Sequence, residues 1–122
     1  MDRKRILIVD DDESVRSLLA RALKIWGYEI DTVRNGVEAI TQVEKRSYDL
    51  VITDYMMPKM DGLELTRRIK AEHPSIPILL VTSNGPVYDL LKNGAAACII
   101  KPFSIFELQN TVKTILDRMD KG

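Results

Sequence analysis

The stretch Leu50-Val51-Ile52-Thr53-Asp54, followed by Tyr55-Met56-Met57-Pro58-Lys59-Met60-Asp61-Gly62, decides how the rest of the chain is read. Its four uncharged leading residues suit a parallel strand covered on both faces, and Pro58 with Asp61-Gly62 marks the loop that leaves it. Asp54 therefore stands where a buried strand stops. In open α/β sheets, ligands gather beyond the carboxyl ends of the strands, so an acid at that point is placed for chemistry.

Working outward, three more short apolar runs stop at polar residues. Ile6-Leu7-Ile8-Val9 ends in Asp10-Asp11-Asp12-Glu13, Ile78-Leu79-Leu80-Val81 ends at Thr82-Ser83-Asn84-Gly85, and Cys98-Ile99-Ile100 ends at Lys101-Pro102. Tyr28 to Val33 alternates enough for a fifth strand.

Between them the period becomes helical. From Ser14, residues Val15, Leu18, Leu19, Ala22, Leu23 and Trp26 follow the spacing of one helix face, with Arg16, Arg21 and Lys24 largely outside it, and Gly27 closes the helix. Asn35-Gly36 turns into a helix from about Val37 to Lys45, with Val37, Ile40 and Val43 inward. Leu63 to Ala71 carries Leu65 and Ile69, and His73-Pro74 ends it. A short helix from about Pro86 to Lys92 stops at Asn93-Gly94. Ser104 with Glu107 forms a capping box for the last helix, Phe103 and Leu108 are spaced as a hydrophobic staple, and Ile105, Leu108, Val112, Ile115, Leu116 and Met119 form its stripe.

A strand followed by a helix, five times over, predicts an α/β fold: a doubly wound five-stranded parallel sheet in the order 2-1-3-4-5 with five helices. In that order strands one, three, four and five are neighbours. Their carboxyl ends bring Asp10, Asp11, Asp54, Thr82 and Lys101 to one crevice.

At 122 residues the chain is read as a single domain, with a core from about residue 5 to 118. Lys and Arg number 18 and Asp and Glu number 18, so no net field draws it to nucleic acid or an anionic membrane surface. The single cysteine, Cys98, cannot form an internal disulfide. The apolar run after Met1-Asp2-Arg3-Lys4-Arg5 is too short for a signal peptide, and no run reaches the ~20 residues of a membrane helix, so the expected location is cytoplasmic.

Several carboxylates in one crevice repel one another, and a divalent cation resolves the conflict. Only oxygen donors are on offer, which favours Mg²⁺, or Mn²⁺ in its place, over Zn²⁺. Lys101 and Thr82 then suit a phosphoryl group, as an ammonium for one oxygen and a hydroxyl for another. Asp54, alone at the central strand end, is the expected acceptor, forming an acyl phosphate, with Asp10 and Asp11 holding the metal.

These residues together resemble the receiver domain of two-component response regulators, over Ile6 to about Asp117. The resemblance rests on Ile6-Leu7-Ile8-Val9-Asp10-Asp11-Asp12, Asp54-Tyr55-Met56-Met57-Pro58, Met60-Asp61-Gly62, Thr82-Ser83, Gly94-Ala95 and Lys101-Pro102-Phe103, in order and at strand ends. It implies the flavodoxin-like receiver fold. It also implies a signalling phosphoacceptor rather than an enzyme, acting only in its own phosphoryl transfer and dephosphorylation. Asp54 would take a phosphoryl group from a phosphohistidine on a sensor histidine kinase or phosphotransfer protein.

Mg²⁺ would be bound by Asp11, Asp54 and the Met56 backbone carbonyl, with Asp10 helping through water. The Lys101-Pro102 bond would be cis. Met56 and Asn84 would tune hydrolysis of the acyl phosphate, and as neither is an acid or base placed to help water, slow to moderate self-dephosphorylation is expected. The readout would be an output domain or partner protein, or a homodimer formed on phosphorylation.

Two departures bear on that readout. The family usually has Tyr or Phe three positions before the lysine, a ring that swings inward on activation, and here Cys98 stands there. Thr82 and Lys101 are 19 positions apart, about one helical turn fewer than usual for the family. With no room for an effector domain, the chain is expected to be a free-standing receiver or an N-terminal part, its polar last residues Asp117 to Gly122 a terminus or the start of a linker.

Plainer readings stand beside these. Asp12 and Glu13 suit a helix start, Thr82 a turn cap, Lys101 a solvated edge charge, His73 a helix end, and Cys98 a small core residue. Two other functions remain open: a phosphohydrolase of the haloacid dehalogenase type with Asp10 as nucleophile, and a receiver-like interaction module that is never phosphorylated.

Overall fold

The computed structural model describes residues 3–121; Met1, Asp2 and Gly122, at the polar ends read above, lie outside them. Five strands, β1 (Arg5–Val9), β2 (Glu29–Val33), β3 (Leu50–Asp54), β4 (Ile78–Thr82) and β5 (Ala97–Ile100), alternate with α1 (Glu13–Lys24), α2 (Gly36–Lys45), α3 (Gly62–Glu72), α4 (Val87–Lys92) and α5 (Ile105–Lys121). The strands form one parallel sheet in the order β2-β1-β3-β4-β5, as expected.

Strand alternation divides the core into two layers. Ile6, Ile8, Leu50, Ile52, Leu79, Val81 and Ile99 pack under α1 and α5, while Leu7, Val9, Val51, Ile78 and Leu80 pack under the helices of the other face. Every side chain in β4 is buried, which its charge-free sequence foretold.

The helix starts follow local chemistry. Asp12 caps α1 by accepting from the Ser14 and Val15 N–H groups, Asn35 caps α2 through Glu38, and Asp61 caps α3 through Glu64. The Glu107 N–H donates to Ser104 Oγ at 3.0 Å, and Phe103 and Leu108 pack into one core layer, as the box and staple predict. Gly27 and Gly94, at φ 93° and 110°, take the left-handed conformation that ends α1 and α4.

Four residues read as inward are exposed: Leu18, Trp26, Val37 and Met119. The α1 face is centred on Leu19 and Leu23 and rotated toward Ala20, which leaves Leu18 at its margin, and Trp26 lies past the helix end. In α2 the buried residues are Gly36, Ala39 and Val43; a spacing of three drifts about 60° per step on an α-helix, so Val37 falls off the face. Helix α5 has 17 residues, about 25 Å, longer than the strands of about 17 Å, and Met119 in its last turn is exposed.

Candidate functional site

The site is built where β1, β3, β4 and β5 stop. The ladders run one bond beyond the strands: Tyr55 N–H donates to the Val81 carbonyl at 3.1 Å, Lys101 N–H to the Thr82 carbonyl at 2.9 Å, and Asp10 N–H to the Val33 carbonyl at 3.2 Å. Parallel register thus levels the four strand ends, and the side chains following them share one rim.

Asp10, Asp11 and Asp54 each bring one carboxylate oxygen to within 4.8 Å of the others. Asp10 is buried, Asp11 exposed and Asp54 between. Lys101 Nζ lies 3.5 Å from Asp54 Oδ2, and Asp54 keeps only 12% of its side-chain exposure. Burial pushes the Asp10 carboxyl above its ordinary range; the Asp12 N–H opposes this, Asp54 and Asp11 add to it, and Lys101 works against it. The crowding expected from sequence is therefore present, with Lys101 as its partial counterion.

Thr82 is buried at the end of β4, and its Oγ1 accepts from the Asn84 N–H at 3.2 Å. A Cβ built on Gly85 would sit 2.7 Å from that oxygen and 3.2 Å from the Tyr55 ring, so only glycine lets the loop lie against Thr82. Asn84 is exposed. Met56, two residues beyond Asp54, points its side chain to solvent. The Lys101-Pro102 bond is cis.

Cys98 pairs in register with Leu80 on the face shared with α2, α3 and α4, partly buried, and burial pushes its thiol up. Its side chain packs against the buried cluster of that face. His73 is the C-cap of α3, away from the crevice. Helix α4 has six residues and no side-chain cap.

Arg16, set aside in the sequence as outward, is half-buried, and its Nη1 donates to the Asp10 backbone carbonyl at 2.7 Å. The signal available for it was its place one turn after the cap Asp12, on the side toward which the buried face is rotated. Among the described residues no helix is long and apolar enough to cross a membrane.

The response regulator receiver domain model matches residues 6–113. The chain is 39% identical over 122 residues to the probable transcriptional regulator ycf27 of Pyropia yezoensis, covering 98% of this chain but 50% of that protein. It thus spans about half that relative's length. The CheY-like response regulator receiver domain protein from Methanospirillum hungatei superimposes with a TM-score of 0.94 at 30% identity, covering 98% of each chain. The response regulator protein TrrA from Thermotoga maritima, solved in complex with Mg(2+)-BeF, gives 0.85 at 40% identity, over 92% of this chain and 98% of that one. Family, fold and the strand-end arrangement agree, and the chain belongs to the receiver domains of two-component response regulators.

Proposed function

We propose that Asp54 is the phosphoacceptor of this receiver and that its phosphorylation, dependent on Mg²⁺, is the signal an output partner reads. The observation that carries this is the convergence of Asp10, Asp11 and Asp54 within 4.8 Å with Lys101 3.5 Å from Asp54.

The donor set fits Mg²⁺: it is all oxygen, crowded and partly exposed, and Asp11, Asp54 and the Met56 carbonyl would hold the ion, with Asp10 through water. Mn²⁺ fits the same donors. The Mg(2+)-BeF bound in the TrrA structure supports this choice. Bound there, the cation supplies charge neutralisation of the carboxylates and of the phosphoryl oxygens.

The chain's own residues do the rest. An Asp54 oxygen attacks the phosphorus of a phosphohistidine on a sensor kinase or phosphotransfer protein; the new P–O bond forms as the P–N bond breaks, and the imidazole nitrogen keeps the electron pair. The Lys101 ammonium and the Thr82 hydroxyl hold phosphoryl oxygens; Thr82 Oγ1 accepts from the Asn84 N–H, which leaves its O–H free to donate. Such a reaction belongs to a cytoplasmic protein facing a kinase. Asn84 and Met56 flank the acyl phosphate without an acid or base, which supports slow to moderate hydrolysis. With Cys98 in place of a ring, the output depends less on an aromatic swing.

Treatment with Mg²⁺ and acetyl phosphate, followed by mass-spectrometric mapping of the acyl phosphate, tests this reading. Label on Asp54 is expected. Label on Asp10 would point to the hydrolase, and no label to a module that works without phosphorylation. The 3% exposure of Asp10 and its bond from the Asp12 N–H disfavour it as a nucleophile.

A further inference from the structure

The peptide joining Asp10 to Asp11 is clamped from outside the crevice. Asp10 is held by its N–H to the Val33 carbonyl and by its Oδ1 to the Asp12 N–H at 2.9 Å, and its carbonyl accepts from Arg16 Nη1 at 2.7 Å. The Arg16 contact is charge-assisted and half-buried, so it is worth more than a neutral surface bond. That carbonyl belongs to the peptide plane that leads into Asp11, so fixing it limits the positions from which the Asp11 carboxylate can depart.

Two effects of Arg16 on a cation in the crevice have opposite signs. As a positive charge it repels the ion; as a clamp it removes the freedom that Asp11 would otherwise lose on binding. Asp11 is exposed, so the repulsion is screened by water, while the clamp restrains its loop together with the bonds from Asp10 N–H to Val33 and from Asp12 N–H to Asp10.

We infer that Arg16 is a positioning residue for the divalent cation, holding the Asp10–Asp11 peptide so that both carboxylates meet Asp54. This rests on the Mg²⁺ reading above. Removing the guanidinium therefore weakens Mg²⁺ binding, although it removes a positive charge.

The experiment is calorimetric titration of the full chain with Mg²⁺ alone, for the wild type, Arg16→Met and Arg16→Lys, with thermal unfolding of each in EDTA. The expected result is an Mg²⁺ Kd about tenfold weaker in Arg16→Met, the lower end of what partners of metal ligands are worth, with Arg16→Lys recovering most of it. A Kd in Arg16→Met that is unchanged or tighter, whatever its melting temperature, overturns the inference alone. Absence of Mg²⁺ binding by the wild type overturns the metal reading and this inference with it. Should Arg16→Met not fold, Arg16→Gln takes its place with the same expected sign.

Discussion

Lys101 Nζ and Asp54 Oδ2 lie 3.5 Å apart across the ends of β5 and β3, which are not neighbours in the sheet; β4 stands between them. The lysine thus spans one strand to reach the acid. Lys101→Met removes the one cation that, among the described residues, pairs with the crowded carboxylates, and with it the proposed holder of a phosphoryl oxygen. Its phosphorylation rate with acetyl phosphate is expected to fall about a hundredfold, and that of Asp54→Asn to background. A phosphate-affinity gel time course measures both.

Mg²⁺ is expected to stabilise the fold. At a hundred times its Kd the gain is about 2.7 kcal/mol, or on the order of 10 °C in melting temperature, reversed by EDTA. Asp11→Asn, which removes one of three mutually repelling charges, is expected to melt higher than the wild type in EDTA and to lose most of the Mg²⁺ gain. Differential scanning calorimetry with and without the ion reads the reversal of order.

The buried Tyr48 hydroxyl donates to Asp31 Oδ2 at 2.6 Å and accepts from Gln42 Nε2 at 2.8 Å. Burial first, and then the bond to Asp31, push its phenol up to about 12 from 10.0. Tyr48→Phe is expected to cost about 2 kcal/mol at pH 7. Because the folded pKa lies above the unfolded one, this contribution is full below pH 10 and is lost as pH rises toward 12. The gap between wild type and variant in urea unfolding should therefore be constant to about pH 10 and shrink above it.

Lys59, in the loop after Asp54, has φ 72°, the left-handed conformation that a side chain disfavours. Lys59→Gly relieves that strain and adds unfolded-state entropy, for an expected net gain of about 0.5 to 1 kcal/mol in chemical denaturation.

Gly62 meets the strand end with no room for a side chain: a Cβ would lie 2.6 Å from the Asp54 backbone oxygen and from Leu80 Cδ2, and 2.9 Å from Tyr55 Cα. Gly62→Ala is expected to cost on the order of 3 kcal/mol. Since two of the three contacts are backbone beside the acceptor, its acetyl phosphate reaction should slow as well.

The sheet was legible because each strand is a short uncharged run and each gap carries a helical period, so five-fold alternation leaves few topologies. The strand-end acids, Thr82 and Lys101 followed from that order. Faces were less legible. Val37, Leu18 and Met119 have the right spacing for burial, but which residues a helix turns inward depends on the sheet beneath it, which no local pattern encodes. Asp61-Gly62 read as turn chemistry; the contact of Gly62 with Asp54's backbone exists only because α3 folds back onto β3.

By pattern alone, then, Asp54 was an acid at the end of a buried strand, and the set of oxygen donors around it followed from strand order. The chain carried that much because strand ends and residue types are local properties. Tertiary structure decided the rest: that Lys101 reaches across β4 to Asp54, that Asp10 is buried while Asp11 is exposed, and that Arg16 turns inward to the peptide between them. Those are distances between groups on different elements, set by register, helix rotation and burial together, and they exist only once the sheet is assembled.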